Sequence, residues 1–224
     1  MSTLKHREAP AHNPPALELP DQEAPAAPCA PNIFWHAGKV SAAARSRQNG
    51  QRGATVWLTG LSGAGKSTLA CELERMLVDA GRAAYVLDGD NLRHHLNRDL
   101  GFSPQDRQEN IRRSAEVARL MNDAGLIVIA AFISPLRQDR AMARSIIGED
   151  NFIETYVSTP CQVCEERDPK GLYAKARAGL IPEFTGVSAP YEVPLYPALV
   201  LDTDCLTLQQ ASRQLFQHLA QRRN

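Results

Sequence analysis

Short apolar runs recur along the chain from residue 54 onward. Those at 54–59, 83–87, 126–133, 152–157 and 198–201 have the length and composition of β-strands. The run at 126–133 is apolar on both faces, which is typical of an interior strand in a parallel sheet. It is also the longest strictly apolar run, and its eight residues fall well short of a membrane-spanning helix, which needs roughly 20. The pattern predicts five strands and no membrane span.

Between these runs, apolar residues recur three and four positions apart, as they do on one face of an α-helix. The spacing predicts a helix that ends at Gly81, a long helix from Ser103 to Gly125, and helices over 135–147 and 207–222. Strands that alternate with helices form a parallel sheet with helices on both faces. We therefore predict an α/β fold with a parallel five-stranded sheet.

The first 31 residues differ from the rest in composition. They contain seven of the 15 prolines, seven alanines and no aromatic residue. Such a segment buries too little apolar area to offset its ordering entropy. It also lacks the apolar core of a signal peptide and is a poor transit peptide. We predict a disordered tail over 1–31, for which the sequence identifies no partner, and one domain over 32–224.

Charge and cysteine usage narrow the function classes. The 224 residues include 25 Lys+Arg and 25 Asp+Glu, and this balance argues against a general nucleic-acid binder. Five cysteines at irregular spacing do not resemble a secreted disulfide framework. Cys161 and Cys164 form a C-x-x-C without a second pair, which favours a packing role over a redox or metal role. We expect a cytoplasmic protein.

Residues 60–68, GLSGAGKST, match the phosphate-binding loop motif G-x-x-x-x-G-K-[ST]. The motif follows a predicted strand and opens a predicted helix, where backbone N–H groups and the helix N-terminus bind phosphate. This placement favours a P-loop over a merely flexible turn. We expect Lys66 to reach the β- and γ-phosphates of ATP and Ser67 to ligate Mg²⁺. The predicted ATP-phosphate site comprises Gly60, Leu61, Ser62, Gly63, Ala64, Gly65, Lys66, Ser67 and Thr68.

Two carboxylates, Asp88 and Asp90, follow the strand at 83–87. Beside a P-loop they suit Mg²⁺ ligation and the orientation of an acceptor hydroxyl. A turn with solvated acids is the alternative for an Asp-Gly sequence. The chain has no Asn-Lys-x-Asp element of the kind that guanine-specific P-loop proteins carry.

Basic residues cluster after these carboxylates. A single arginine on a helix is ordinarily solvated or paired with an acid, but the stretch 166–177 is rich in cations and interrupted by Pro169 and Gly171. This composition predicts a mobile lid, over about 166–187, that closes on phosphates. An excess of cations at a small-molecule kinase site implies an anionic acceptor. The basic residues are Arg93, Arg107, Arg112, Arg113, Arg137, Arg140, Arg167, Lys170, Lys175 and Arg177.

Six motifs follow the P-loop in a fixed order: DGDNLR at 88–93, GFS at 101–103, DRQENIRR at 106–113, FISPLR at 132–137, RDPKGLY at 167–173 and FTGVSAPYE at 184–192. Together they resemble the adenylyl-sulfate kinase (APS kinase) family, from about residue 32 through the last helix. The resemblance implies a P-loop kinase that uses ATP and Mg²⁺ to phosphorylate the 3′-hydroxyl of adenylyl sulfate. It also implies a homodimer.

The resemblance implies roles for single residues. Arg93, Arg107 and Asn110 would bind the phosphosulfate and ribose, and Phe102 and Phe184 would sandwich the adenine, although either ring alone could be a core residue. The full substrate set is Asp88, Asp90, Arg93, Phe102, Arg107, Asn110, Ile133, Ser134, Lys170, Lys175 and Phe184. Lys66, Asp90 and Ser134 are the candidate catalytic residues, Ser67 and Asp88 the metal ligands, and Arg167 the ATP-side lid residue.

The family's serine at the position of Ser134 has been described as a phosphoserine intermediate. A serine without an adjacent base is a poor nucleophile, and His94 and His95 lie far from it along the chain. In-line transfer to a hydroxyl needs only positioning and charge neutralisation. We therefore expect Ser134 to contact the substrate rather than carry phosphate.

Two alternatives for the function differ from this interpretation. One is a kinase for another acceptor, such as gluconate or shikimate, which would not need two aromatic rings around a purine. The other is a nucleotide-sensing regulator that binds ATP without turnover. A regulator of that kind is expected to lack an acid or a lid cation, but Asp88, Asp90, Arg167 and Lys170 are all present.

Overall fold

The computed structural model describes residues 32–221. The chain divides into two units after residue 41, and the described part of the first unit, 32–41, contains no helix or strand. The predicted disordered tail over 1–31 and residues 222–224 lie outside the described residues, so the domain boundaries remain predictions. No helix within 32–221 is long and apolar enough to cross a membrane.

The described residues of the second unit form five strands and eight α-helices. The strands are β1 (Ala54–Thr59), β2 (Ala84–Asp88), β3 (Ile127–Ala131), β4 (Phe152–Val157) and β5 (Leu199–Leu201). The helices are α1 (Ala42–Asn49), α2 (Lys66–Asp79), α3 (Gly89–His94), α4 (Pro104–Asp123), α5 (Arg137–Ile147), α6 (Cys161–Arg167), α7 (Leu172–Arg177) and α8 (Leu208–Gln221). A 3₁₀ turn, Glu149–Asn151, precedes β4.

All five strands are parallel, in the order β2-β3-β1-β4-β5, which confirms the predicted sheet. β1 is central, and its Val56 lies opposite Ile129 of β3 on one side and Ile153 of β4 on the other. β1 and β3 are neighbours, and the connections that leave them run in opposite directions across the sheet, to β2 and to β4. In open α/β sheets, ligands bind at such a switch point, beyond the carboxyl ends of the strands.

The core has two layers, one on each face of the sheet. Because successive side chains of a strand point to opposite faces, Val56 and Leu58 of β1 pack on one side and Trp57 on the other. The first layer contains residues of α2 and α8, and the second contains residues of α4 and α5. Full burial of one large apolar side chain contributes about 1.5–3 kcal/mol, so both layers hold the sheet in place.

Helix boundaries follow local chemistry. The Ser103 hydroxyl accepts from the Asp106 N–H at 3.1 Å, with Pro104 in the first turn, so α4 begins where the sequence predicts. By contrast, α5 begins at Arg137 rather than 135, because Ser134 has a φ of 39° and Leu136 is extended. No sequence pattern predicted α1, which buries no residue and therefore needs no apolar stripe.

Candidate active site

The P-loop joins β1 to α2, and its glycines adopt backbone conformations that other residues disfavour. Gly63 has a φ of 78° and Gly65 a φ of 91°. A Cβ atom on Gly63 would lie 2.8 Å from the carbonyl oxygen of Cys164, and one on Gly60 would lie 2.5 Å from that of Val157. Both distances are sterically forbidden, so the loop needs glycine to lie this close to β4 and α6.

Lys66 is held inside the P-loop. Its Nζ donates to the carbonyl oxygens of Gly60 at 2.9 Å and Leu61 at 2.7 Å, and the residue is 8% exposed. Burial lowers the pKa of Lys66 to about 8, because a low-dielectric setting disfavours the charged form. The ammonium therefore needs anionic partners, which nucleotide phosphates supply.

Ser67 and Asp88 meet where β2 ends beside the P-loop. The Ser67 hydroxyl donates to Asp88 Oδ2 at 2.6 Å, and Asp88 Oδ1 accepts from the backbone N–H of Asp90 at 2.9 Å. A hydroxyl and a carboxylate are oxygen ligands of the kind that Mg²⁺ prefers, and Mg²⁺ completes its shell with water and substrate phosphates. This pair fits Mg²⁺, although residues 32–221 contain no group of three or more His, Cys, Asp or Glu side chains that could hold a metal.

Two contacts connect the predicted lid to Asp90 and to the P-loop. Lys170 Nζ donates to Asp90 Oδ2, and this contact raises the pKa of Lys170. Tyr173 of α7 donates from its hydroxyl to the Ser62 carbonyl oxygen of the P-loop at 3.0 Å. The structure thus brings a lid cation to the acid that the sequence singles out as the partner of the acceptor hydroxyl.

Most of the predicted site residues line one cleft of about 1220 Å³. Those that line it are Ser62, Gly63, Gly65, Lys66, Ser67, Thr68, Asp88, Asp90, Arg93, Phe102, Arg107, Asn110, Ile133, Ser134, Arg167, Lys170 and Phe184. Gly60, Leu61 and Ala64 belong to the P-loop without lining the cleft. The structure does not bring Lys175 to the cleft, because Tyr173 and Ala176 form the buried face of α7 and Lys175 is exposed.

The two aromatic residues of the predicted adenine sandwich have different surroundings. Phe102 is 65% exposed, and the Arg93 guanidinium lies 4.4 Å from its ring centroid. Phe184 is buried, belongs to a core layer and contacts the Tyr173 ring edge-on with centroids 5.0 Å apart. Both rings line the same cleft, but Phe184 is also a core residue, the alternative that the sequence left open.

Arg107 connects α4 to the segment that follows α7. Its guanidinium donates to the Phe102 carbonyl oxygen at 2.8 Å, to Thr185 Oγ1 at 3.2 Å and to the Glu183 carbonyl oxygen at 2.8 Å. Arg93 donates to the Gly101 carbonyl oxygen at 2.8 Å. Backbone carbonyls thus fix both guanidinium groups at the wall of the cleft without neutralising their charge.

Ser134 lies buried at the floor of the cleft in a left-handed conformation, with a φ of 39°. Its hydroxyl accepts from the Trp57 indole N–H at 3.1 Å, and its carbonyl oxygen accepts from Arg140 at 2.7 Å. Within 32–221 no carboxylate or imidazole hydrogen-bonds to this hydroxyl. The surroundings therefore provide no general base for a nucleophilic serine.

Sequence reasoning missed the part of the cleft that follows β5. Thr203, Leu206 and Leu208 line it. Arg167 donates to Thr203 Oγ1 at 3.1 Å and to its carbonyl oxygen at 2.8 Å, and Thr203 Oγ1 donates to the Ala64 carbonyl oxygen at 2.9 Å. The position of Thr203 after the last strand was the available signal, since ligands bind beyond the carboxyl ends of parallel strands.

Several basic residues that the sequence grouped as a cation cluster are paired elsewhere. Arg112 and Arg113 bind Glu109, Arg177 binds Glu165, and Arg140 binds Glu154 in the interior. The positive charge at the site is therefore smaller than the number of basic residues in this part of the sequence indicates. The cations that line the cleft are Lys66, Arg93, Arg107, Arg167 and Lys170.

The C-x-x-C cysteines lie in α6 and pack between the P-loop and the lid. Cys164 is buried, which raises the pKa of its thiol, and its Sγ donates to the Thr159 carbonyl oxygen at 3.8 Å. Cys161 Sγ donates to the Gly186 carbonyl oxygen at 3.3 Å. These contacts support the packing role over a redox or metal role.

Comparisons with known proteins agree with the geometry of the cleft. Residues 52–202 match the family model described as adenylylsulphate kinase. A probable adenylyl-sulfate kinase of Halalkalibacterium halodurans is 54% identical over 84% of this chain and 94% of its own. The adenylyl-sulfate kinase of Shewanella amazonensis is 58% identical over 77% of this chain and 87% of its own.

A solved structure is similar to this chain in both sequence and fold. The Mycobacterium tuberculosis APS kinase CysC, in complex with AMPPNP and APS, is 51% identical and superposes with a TM-score of 0.74, covering 76% of this chain and 99% of its own. The family model covers more than half of the present chain, and these relatives match most of it at high identity. This protein belongs to the adenylylsulphate kinase family.

Proposed function

We propose that this protein is an adenylyl-sulfate kinase, which transfers the γ-phosphoryl group of ATP to the 3′-hydroxyl of adenylyl sulfate. The products are 3′-phosphoadenylyl sulfate and ADP. One observation carries the proposal: the P-loop and the Arg93, Phe102 and Arg107 cluster line a single cleft. A triphosphate and an anionic nucleotide acceptor therefore have adjoining sites.

The triphosphate binds along the P-loop. Backbone N–H groups at the start of α2 and the ammonium of Lys66 contact its phosphate oxygens, an arrangement that stabilises negative charge. Arg167 reaches the same region from α6, where Thr203 fixes its guanidinium. These groups position the γ-phosphoryl and compensate the charge that spreads over its oxygens during transfer.

Ser67 and Asp88 are the residues that would hold Mg²⁺. When bound, Mg²⁺ neutralises phosphate charge and orients the triphosphate. The 2.6 Å hydrogen bond between the two side chains places their oxygens together beside the P-loop. Asp88 also caps α3, so its carboxylate keeps its position.

The acceptor occupies the opposite half of the cleft. Arg93, Arg107 and Asn110 bind its phosphosulfate and ribose, and its adenine packs between Phe102 and Phe184, which both line the cleft. Stacking on an aromatic ring contributes about 1–3 kcal/mol per base. Asp90 accepts the hydrogen bond of the 3′-hydroxyl and orients it for in-line attack, and Lys170 moves from Asp90 to phosphate oxygens. Ser134 contacts the substrate and carries no phosphate.

The experiment is ADP release from MgATP in a coupled assay with adenylyl sulfate, gluconate, shikimate, AMP or no acceptor. We expect turnover with adenylyl sulfate and a product phosphorylated on the 3′-oxygen. Turnover with gluconate or shikimate instead would contradict the proposed acceptor. ATP binding without turnover on any acceptor would favour a nucleotide-sensing regulator.

The homodimer and the cytoplasmic location also belong to this proposal. The homodimer follows from the family resemblance, and light scattering should give about twice the 24.6 kDa of one chain. A monomeric mass would contradict it. The location is expected for a chain whose five cysteines do not resemble a secreted disulfide framework, and subcellular fractionation tests it.

A further inference from the structure

Asn97 and Asn110 form a buried pair of amides at the wall of the cleft. Asn97 lies in the segment after α3 and has no exposed surface, while Asn110 lies in α4, is buried and lines the cleft. Asn97 Nδ2 donates to Asn110 Oδ1 at 2.9 Å. Since Asn97 is the donor, the Asn110 amide has its oxygen, and not its nitrogen, on the side of Asn97.

The other amide atom of Asn97 has no partner. Its Oδ1 is buried, and no donor reaches it from within residues 32–221. A buried acceptor without a partner costs about 1–3 kcal/mol, and a leucine, whose side chain has the same branching, would avoid that cost. The feature of Asn97 that a leucine cannot supply is the Nδ2 donor, and that donor has Asn110 as its partner.

The consequence for Asn110 is a fixed orientation. An amide offers one acceptor oxygen and one donor nitrogen. Because the Asn110 oxygen points at Asn97, the amide nitrogen points away from Asn97, and Asn110 Nδ2 has no acceptor in the part of the chain that the structure describes. Together with the guanidinium groups of Arg93 and Arg107, the Asn110 amide nitrogen offers hydrogen-bond donors to a ligand in the cleft.

We propose that Asn97 is a positioning residue for adenylyl sulfate, which holds the Asn110 amide so that Nδ2 faces the acceptor oxygens of the substrate. The inference rests on the proposed function. Phosphate and sulfate oxygens are acceptors and cannot bond to an amide oxygen. A reversed Asn110 amide would therefore lose a charge-assisted hydrogen bond and place a partial negative charge against an anion.

The first test replaces the amide donor of Asn97 with an acceptor. In Asn97→Asp the carboxylate only accepts, so the Asn110 amide turns its Nδ2 towards it and its Oδ1 towards the substrate. We expect KM for adenylyl sulfate to rise about tenfold or more, with KM for ATP unchanged, as for the loss of a hydrogen bond to a charged group. Calorimetric titration with adenylyl sulfate should show the same fall in affinity.

The neutral variant Asn97→Leu separates orientation from added charge. It frees the Asn110 amide to rotate, so KM for adenylyl sulfate should rise by a smaller factor, about threefold to tenfold. In an Asn110→Ala background, Asn97→Leu should change this KM no further, because the residue acts through Asn110. Additive effects of the two substitutions would overturn the inference.

Thr155→Val is the matched control. Thr155 Oγ1 is the other buried side-chain atom without a partner among the described residues, and Thr155 lies in β4 and does not line the cleft. Removal of the Thr155 hydroxyl should leave KM for ATP and KM for adenylyl sulfate unchanged. If Asn97→Leu raises the KM of ATP as much as that of adenylyl sulfate, Asn97 is structural only. If the unmodified protein does not phosphorylate adenylyl sulfate, the proposed function fails instead.

Discussion

At the scale of single residues, surroundings decide what each side chain can do. Lys66 is an ordinary lysine in the sequence, but burial within the P-loop lowers its pKa to about 8. Ser134 is an ordinary serine, but it is buried in a left-handed conformation and hydrogen-bonded to the Trp57 indole. Neither property is encoded in the residue type, and each leads to a measurable expectation.

We expect Ser134→Ala to retain most of kcat, because no base activates the hydroxyl. The substitution leaves the Trp57 N–H buried without its acceptor, which costs about 1–3 kcal/mol of stability, so the unfolding midpoint should be recorded as well. Steady-state kinetics with adenylyl sulfate is the measurement. A fall in kcat of about 10³-fold or more, at a temperature where the variant is folded, would favour the phosphoserine intermediate.

We expect the affinity for ATP to fall as the pH rises above about 8. Burial lowers the pKa of Lys66 to about 8 in the free protein, and phosphate charge raises it in the complex. The complex therefore binds more protons than the free protein above pH 8, and affinity falls by up to about tenfold per pH unit there. Nucleotide titrations from about pH 7 to about pH 9.5 measure this dependence.

Lys66→Arg is the control for this dependence, since a guanidinium stays charged throughout the range. Its affinity for ATP should be lower at pH 7 but should lack the decline above pH 8. The same decline in Lys66→Arg would show that another group is responsible.

At the scale of elements, the site is built from turns that follow parallel strands. The P-loop follows β1, Asp88 ends β2, Ser134 follows β3 and Thr203 follows β5. One edge of the sheet therefore carries the phosphate-binding loop, an acid, the floor of the cleft and the residue that holds Arg167 of the lid. The glycines of the P-loop allow it to lie against α6 and β4. Their replacement should therefore affect binding more than folding.

We expect Gly63→Ala to weaken ATP binding by about tenfold or more. A left-handed φ of 78° costs a non-glycine residue about 1–2 kcal/mol, and a new Cβ would lie 2.8 Å from the Cys164 carbonyl oxygen. The P-loop must move to relieve that contact. Nucleotide titration and thermal unfolding together measure the effect.

Gly81→Ala separates backbone strain from displacement of the P-loop. Gly81 follows α2, has a φ of 72°, and a Cβ there would meet no atom within 4 Å. This variant should lose a little stability and keep its affinity for ATP. Equal affinities in Gly63→Ala and Gly81→Ala would contradict the role given to the close contact.

At the scale of the whole molecule, one buried ion pair connects distant parts of the chain. Arg140 of α5 donates to Glu154 Oε1 of β4 at 2.8 Å, to the Ser134 carbonyl oxygen at 2.7 Å and to that of Glu192 at 2.6 Å. The guanidinium is 2% exposed. It therefore ties the floor of the cleft to the sheet and to the segment after the lid.

We expect Arg140→Ala to destabilise the fold by about 3–5 kcal/mol, because its acceptors stay buried, among them a carboxylate that keeps only the partly exposed Arg144. Urea unfolding measures the loss. Arg75→Ala is the control: Arg75 pairs with Glu72 and Asp79 on the exposed surface of α2, and surface pairs contribute little. Equal effects of the two substitutions would show that burial does not determine the contribution of Arg140.

Much of the fold follows from the sequence, because its signals are local. Apolar runs give the five strands, and the cap at Ser103 gives the start of α4. Two short helices were not predicted, since α1 has no buried face and α3 is only six residues long. The family and its kinase function followed from ordered motifs, and the comparisons confirm both.

The P-loop, the acids beside it and the family are evident from the sequence, since they depend on residue type and on spacing along the chain. Which cations reach the cleft is evident only from the folded chain. It pairs Arg140 with Glu154, leaves Lys175 on the outer face of α7, and adds Thr203 and the Asn97–Asn110 pair. Ion pairing and burial depend on distances across the fold, and the spacing of residues along the chain does not contain these distances.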